Sequence, residues 1–497
     1  MRCYEKKRLL DSIDLLYKAA DDLKNNRTYS EKTEILQLSQ QMAITIGENI
    51  EEHCGCDTRT VRLLEELCEI LYKAFNNLDA TEHYATLLKL HIEKIEKSIT
   101  DEIKCEKLKI LFLPYKLSMW TAMESIWEAA MKDDECHVSV VPIPYYNIAD
   151  KDNITMSYEG MEYPKEINII DYRGYDVEKE HPEIIIIHNP YDNANKITSI
   201  PEEYYSKNIK KHTECLVYSP YFTFSTYDVT KSSFLFIQPG TLYSDKIIVQ
   251  SERVKELFMS LGFSDKRLMV TGSPKADAVR KYTKENVDMP EEWKEKLEGK
   301  KVFLLNTHLN YFPRSFENAL KTGNNYAVRF HDEILEAIKD RDDVGLIWRP
   351  HPLLKNKVYD SAKECIEYIE YFEKQLIESN NCVIDTYGEY KYSFAYSDAM
   401  ISTWSSLINE YMITEKPVMI FQGKISEEVI KEAVINRNLN YFRFGDGGIT
   451  FLEFIENVKC GIDEKKEERM NNLKQAFTNF GGNAGQEAYV QLKNILI

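Results

Sequence analysis

The sequence predicts an α/β protein of two parallel-sheet halves facing each other across a cleft, behind an α-helical N-terminal extension. Three observations predict it. Short β-branched runs such as Glu183 to Ile187 (EIIII), Lys246 to Gln250 (KIIVQ) and Lys301 to Leu305 (KVFLL) alternate with amphipathic helical stretches, the pattern of strands covered on both faces by crossover helices. Residues 1 to 105 carry helical periodicity and few breakers. The charged, breaker-punctuated stretch Lys281 to Lys300 then divides the alternating part in two. At 497 residues the chain is too long for one core, and the expected division is 1–105, 106–285 and 286–497.

In the extension, Leu9, Ile13, Leu16 and Tyr17 fall on one helical face, as do Leu63, Leu64, Leu67, Ile70 and Leu71. Three or four helices are expected there, serving as a packing or oligomerisation element. The first half opens with the strand Lys109 to Leu113 and a helix over Ser118 to Met131. Val138 to Ile143 follows, then a polar, Tyr-rich connection from Asp150 to Tyr175. The run EIIII reads as a central strand; Cys215 to Tyr218, KIIVQ with its helix Glu252 to Leu261, and Leu268 to Val270 complete this half. The turn Thr271 to Asp277 leads into the linker. In the second half, KVFLL, a helix Tyr326 to Ile338, and strands Gly345 to Trp348 and Cys382 to Ile384 precede one βαβ unit, Ala399 to Phe421. Gly423 to Asn440, Phe451 to Glu464 and a final helix around Glu467 to Phe477 end the chain. No internal repeat is present.

Hydrophobic residues are 43% and charged residues 29% of the chain, an ordinary globular balance. The net charge of -18 argues against a nucleic-acid binder, whose affinity rests on Lys and Arg, and disfavours broad adsorption to anionic membrane. Met1 to Leu10 has charge but no apolar core behind it, and no run approaches the roughly 18 apolar residues of a membrane span. A cytoplasmic protein is expected, at most touching the inner face of the membrane. The 10 cysteines are scattered, and Cys54-Gly55-Cys56 lacks the two-residue spacer of zinc or redox pairs, so reduced, mostly buried thiols are expected. With Tyr 32 and Phe 21, the interior is expected to be aromatic-rich. Asp133-Asp134 and Asp340, Asp342 and Asp343 around Arg341 read as solvated turns rather than Mg²⁺ ligands, so no metal and no cofactor is expected.

Candidate site residues follow from one rule: in open α/β sheets ligands collect at the carboxyl ends of strands. The turn Ser402, Thr403, Ser405, Ser406 stands there, ahead of a helix, where free N–H groups and hydroxyls favour an anion such as a nucleotide phosphate. An ordinary Ser/Thr helix cap is the other reading. His188 stands at the end of EIIII and can act as a general base, with Asp192 to orient it, or can cap the strand by hydrogen bonds to backbone. His308, Arg349 and His351 end two strands of the second half. Lys116 ends the first strand, as a ligand contact or a solvated lysine.

Taken together, KIIVQSERVKELF, RLMVTGSPKADAV, WRPHP and YSDAMISTWSSLINEYMITEKPVMIF resemble the CDP-glycerol glycerophosphotransferases, the teichoic-acid polymerase and primase family, over about Lys246 to Gln422. The resemblance implies a GT-B fold of two Rossmann-like domains, acceptor-side at 106–285 and nucleotide-donor at 286–497. The family's HGTP-type stretch is answered by His188 in HNPYDN, which keeps the histidine and loses the Gly-Thr. Thr403 and Trp404 stand where the family has Asp and an aromatic. Carried over, the resemblance makes His188 the base and His351, Ser405 and Ser406 pyrophosphate ligands, with Arg349 beside them and Glu410 toward a ribose hydroxyl. Ser402, Thr403, Thr271, Gly272, Ser273 and His308 join the donor side, and Lys116, Asn189 and Tyr191 the acceptor side. The implied reaction moves glycerol phosphate, or a related phospho-alcohol, from a CDP-linked donor to a glycan or polyol-phosphate hydroxyl, with CMP released. A GT-B glycosyltransferase or UDP-GlcNAc 2-epimerase-like enzyme is the alternative, and a non-catalytic binding protein a third class. Peripheral membrane contact and association through the N-terminal helices are compatible with it.

Overall fold

The computed structural model describes residues 1–25, 27–150, 153–195, 197–224, 234, 236–308, 311–312, 326–351, 354, 363–423 and 439–496. Four helices, α1 (Cys3–Asp22), α2 (Tyr29–Cys54), α3 (Arg59–Phe75) and α4 (Thr81–Glu102), come first. Their stripes of Leu9, Ile13, Leu16, Leu64, Leu67 and Leu71 close into one apolar core with Ile92, Ile95 and Ile99 of α4. Thr28 and Thr58 cap α2 and α3 by accepting the N–H of Glu31 and Val61.

The first sheet holds β1 (Leu108–Leu113), β2 (Cys136–Val140), β5 (Ile184–Ile187), β7 (Cys215–Tyr218), β8 (Lys246–Val249) and β9 (Leu268–Val270). Its order is β2-β1-β5-β7-β8-β9, all parallel. Between them, β3 (Tyr145–Asp150), β4 (Asn153–Ser157) and β6 (Thr198–Ser199) form a small sheet of order β4-β3-β6. The second sheet holds β10 (Lys301–Thr307), β11 (Val344–Pro350), β12 (Cys382–Ile384), β13 (Ala399–Ser402), β14 (Val418–Gln422), β15 (Tyr441–Phe444) and β16 (Gly447–Gly448). Its order is β12-β11-β10-β13-β14-β15-β16, parallel except at the last pair.

Each sheet reverses its winding once, between β1 and β5 in the first and between β10 and β13 in the second. These are the crevices where doubly wound sheets take ligands. The strands are buried on both faces, as their unbroken apolar runs require: EIIII packs Ile184 and Ile186 into one core and Ile185 and Ile187 into the other.

Several elements differ from the sequence reading. The helix expected over Ser118 to Met131 breaks at Met123 (φ -125°), giving a 3-10 turn Leu117–Ala122 and α5 (Glu124–Met131). Trp120, Ala122 and Met123 are all buried, more than one straight helix could hide on a single stripe. Two strands the sequence reading lacks, β3 just before the Tyr-rich connection and β4 at its start, form a hairpin there. Thr271 to Asp277 is not a linker turn: Ser273 accepts the N–H of Ala276 and caps a helix Pro274–Arg280. The linker itself holds a helix Glu291–Leu297, with Trp293 and Leu297 in the core. The helix Lys466–Ala476 is not the last; Ala484–Leu496 follows and returns to α5, placing Ala488, Tyr489 and Leu492 in the core of the first sheet. Of the stretch Gly423 to Asn440, residues 424–438 lie outside the described residues.

Among the described residues no two cysteines form a disulfide with each other, and 5 of the 10 are buried. Among the described residues no helix is long and apolar enough to cross a membrane.

Candidate active site

The second sheet's crevice is built at the ends of β10, β11 and β13. His308 follows β10 and His351 follows β11, and parallel pairing of the two strands sets their rings 5.5 Å apart, edge to face. The His308 N–H donates across the crevice to the Thr403 hydroxyl at 2.8 Å, tying the β10 loop to the β13 loop. Beneath them Asn306 donates to Ser402 Oγ at 2.9 Å, while Ser402 donates to the Thr403 carbonyl at 2.7 Å. Ser402 and Thr403 are therefore buried supports of the loop. Trp404 and Ser406 are exposed, and Ser405 Oγ accepts the N–H of Leu407 at 3.2 Å. The helix behind this turn, Leu407–Met412, has 6 residues, so the turn presents hydroxyls and loop N–H groups rather than a long macrodipole. Pro352 of the RPHP stretch lies outside the described residues.

In the first sheet's crevice, His188 follows β5 and faces the loop after β1. Its Nε2 accepts the backbone N–H of Tyr115 at 3.1 Å, and the imidazole stacks on the Tyr115 ring with 5.2 Å between centroids. Tyr221 stands edge-on, 6.4 Å away. An acceptor at Nε2 places the ring's proton on Nδ1, which is buried and has no hydrogen-bond partner among the described residues. Burial, with the Lys275 ammonium as the lesser cause, pulls the imidazole down to about 3, so it is neutral at physiological pH. Of the two sequence readings of His188, the capping one is seen here: fully buried, it accepts a backbone N–H of the loop after β1.

Asp192 does not orient it. Both carboxylate oxygens are occupied by Ser206, through N–H and hydroxyl at 2.9 Å, and burial lifts the group to about 6. The residue has φ +50°, a left-handed turn that swings the side chain toward Ser206. Asn189 accepts the N–H of Tyr191 at 3.1 Å, an Asx turn that shapes the same loop. Lys116 lies 4.7 Å over the Tyr145 ring, its ammonium pushed down by burial.

The two crevices meet at a residue that sequence reasoning passed over. Lys275, near the start of Pro274–Arg280, is 5% exposed; its ammonium donates to the Tyr221 carbonyl at 2.6 Å and pairs with Glu410 of the second lobe at 2.8 Å. Glu410 also accepts the Tyr390 hydroxyl. The available signal was positional: a lysine just inside a helix that follows a strand end, as in the other candidates.

Three further candidates hold the scaffold. Arg349 is occupied by Asp385 at 2.7 Å and by the carbonyls of Tyr387, Gly388 and Glu389, so it fixes the loop after β12. Thr271 and Gly272 pack on the returning chain: the Thr271 carbonyl accepts Asn479 Nδ2 at 3.1 Å, and Gly272 (φ +95°) passes so near Thr478 that a Cβ would lie 2.2 Å from its carbonyl oxygen.

The minor teichoic acid biosynthesis protein GgaB of Bacillus subtilis (strain 168) is 23% identical over 330 residues, covering 61% of this chain and 32% of that protein. The chain thus spans about a third of the curated relative it matches. Among solved structures, the wall teichoic acid polymerase TagF (14% identity, TM-score 0.47, 85% of this chain and 98% of that one) is similar to it. So is the UDP-GlcNAc 2-epimerase of Methanocaldococcus jannaschii (14% identity, TM-score 0.46, 78% of this chain and 99% of that one). The sequence profile of the CDP-Glycerol:Poly(glycerophosphate) glycerophosphotransferases matches residues 237–487, just over half of the chain and the span that carries Lys275, His308, His351, the Ser402 to Ser406 turn and Glu410. On that match the chain belongs to the CDP-Glycerol:Poly(glycerophosphate) glycerophosphotransferase family.

Proposed function

We propose that the chain transfers glycerol phosphate, or a related phospho-alcohol, from a CDP-linked donor to a hydroxyl of a cell-surface glycan or teichoic-acid-type acceptor. The observation that carries this reading is the family match over the residues that line the second crevice. In the reaction, the acceptor oxygen attacks the β-phosphorus in line, the bond from that phosphorus to the bridging oxygen breaks, and CMP leaves with the electron pair. Such a transfer asks the protein chiefly for positioning and charge stabilisation.

In this reading His308, His351, Ser405 and Ser406 hold the diphosphate, with Ser402 and Thr403 supporting the loop beneath it. Arg349 positions the loop after β12. Lys116, Asn189 and Tyr191 face the acceptor. His188 takes the acceptor's proton, which requires Nε2 to exchange the Tyr115 N–H for the incoming hydroxyl. Negative charge arriving beside the imidazole favours its protonation, raising its basicity from the resting value. The division 1–105, 106–285 and 286–483, with Ala484–Leu496 returned to the first lobe, belongs to the same proposal. So do a cytoplasmic location, peripheral membrane contact, and association through the N-terminal helices, on which Leu38, Tyr72 and Leu90 are exposed.

A thermal-shift panel with CDP-glycerol, CDP-ribitol, CDP-choline and UDP-GlcNAc tests the reading, because a ligand bound only by the folded state raises the melting temperature. The expected result is a shift with a CDP-alcohol, abolished in His351→Ala and kept in His188→Ala. A shift with UDP-GlcNAc alone transfers the assignment to the sugar-nucleotide enzymes.

A further inference from the structure

The Lys275–Glu410 pair lies where the two lobes touch, and both partners are almost wholly buried, with side chains 6% and 9% exposed. A buried ion pair of this kind is poor evidence for stability, since desolvating two charges costs about as much as their attraction returns. Its position is informative instead. On one side of the ammonium is His188, whose imidazole feels its charge, and the Tyr221 carbonyl that holds it at 2.6 Å. On the other is Glu410, with the Tyr390 hydroxyl donating to it and the Tyr390 ring 5.6 Å from the ammonium. Glu410 is the fourth residue of Leu407–Met412, the helix that follows the Ser402 to Ser406 turn. Lys275 therefore stands between the residue read as the base and the loop read as the phosphate site.

We propose that Lys275 is a donor-binding residue whose ammonium contacts the diphosphate, and that its pair with Glu410 is the resting form of an exchange in which the diphosphate replaces the carboxylate. This rests on the functional reading above. A buried ammonium stripped of its carboxylate partner carries a large penalty, so it gives up Glu410 only to another anion. A diphosphate supplies that anion, and it also frees Glu410 for a neutral hydroxyl donor such as a ribose. The exchange moves no bond and keeps the site's charge partnered at each stage. It also makes the interlobe contact respond to the diphosphate rather than to the nucleoside, because CMP lacks the second phosphate.

Calorimetric titration of the full chain with CDP and with CMP tests this, with the ratio of the two affinities as the readout. Wild-type protein is expected to prefer CDP. Lys275→Met is expected to lose about ten- to a hundredfold of CDP affinity, the worth of one charged hydrogen bond, with CMP affinity held. Glu410→Gln, which removes the competing carboxylate, is expected to widen the CDP preference, and serves if Lys275→Met does not fold. Wild-type preference for CDP that persists in Lys275→Met, or equal losses for CDP and CMP, overturns this inference alone. A wild-type chain that binds neither nucleotide overturns the functional reading with it.

Discussion

His188 Nε2 and the backbone N–H of Tyr115 form a 3.1 Å hydrogen bond that joins the loops after β5 and β1 at the first sheet's winding reversal. The imidazole therefore has a structural task separable from any proton transfer. Replacing it with alanine leaves a buried N–H unpaired and is expected to cost about 1–3 kcal/mol of stability by urea titration. His188→Gln restores an acceptor, and is expected to recover much of that stability while leaving CMP release abolished. Turnover by the glutamine variant at the wild-type rate excludes His188 as the base.

Acid stability provides a second prediction. Burial holds His188 at about 3 and His331 at about 4, against 6.5 for a free imidazole. As pH falls below 6.5 the unfolded chain takes up protons that the folded chain refuses, so each histidine removes stability by about 1.4 kcal/mol per pH unit. Asp192 runs the other way: held at about 6 against 3.8 when free, it keeps a proton in the folded chain that the unfolded chain has lost. Between pH 6 and 4 it offsets one histidine. Asp192→Asn is expected to steepen the loss over that window by about 1.4 kcal/mol per pH unit, measured by urea titration at several pH values. An unchanged slope contradicts the buried, protonated carboxyl.

The N-terminal helix is fastened beside β5, the strand that leads into His188. Arg2 pairs with the fully buried Glu183 at 2.6 Å, and Glu183 also accepts the N–H of Lys109, just before β5 and within β1. Arg2→Met strands that carboxylate and is expected to cost about 3–5 kcal/mol, whereas Arg8→Met, whose partner Glu214 is less enclosed, is expected to cost under about 1 kcal/mol. Equal effects in equilibrium unfolding would falsify the assignment of Glu183 as a buried anchor.

Gly272 tests the crossing of the returning chain. With φ +95° and the Thr478 carbonyl 2.2 Å from where a Cβ would lie, Gly272→Ala combines left-handed strain with a backbone clash. A loss of roughly 2–4 kcal/mol is expected in urea unfolding. A neutral effect means that Thr478 does not pass there.

Much of this architecture was legible because parallel strands announce themselves: EIIII and KVFLL cannot be half-exposed, and the strand-end rule then placed His188, His308, His351 and the serine turn at the carboxyl ends of strands. What was not legible depended on partners distant in sequence. Nothing local shows that Asp192 turns to Ser206, that the donors of Arg349 are taken by the loop Asp385 to Glu389, or that Ala484–Leu496 leaves the second sheet for α5. Lys275 was hidden for the same reason, since its meaning comes from Glu410, 135 residues later. The strands β3 and β4 escaped because they are short, and the two apolar residues that alternate along β4, Ile154 and Met156, are exposed rather than part of a core.

The most direct test is release of CMP when the purified chain is mixed with CDP-glycerol and a polyol-phosphate acceptor. The account predicts CMP in step with acceptor elongation, lost in His351→Ala. Release of UDP from UDP-GlcNAc with no CMP from CDP-glycerol contradicts it.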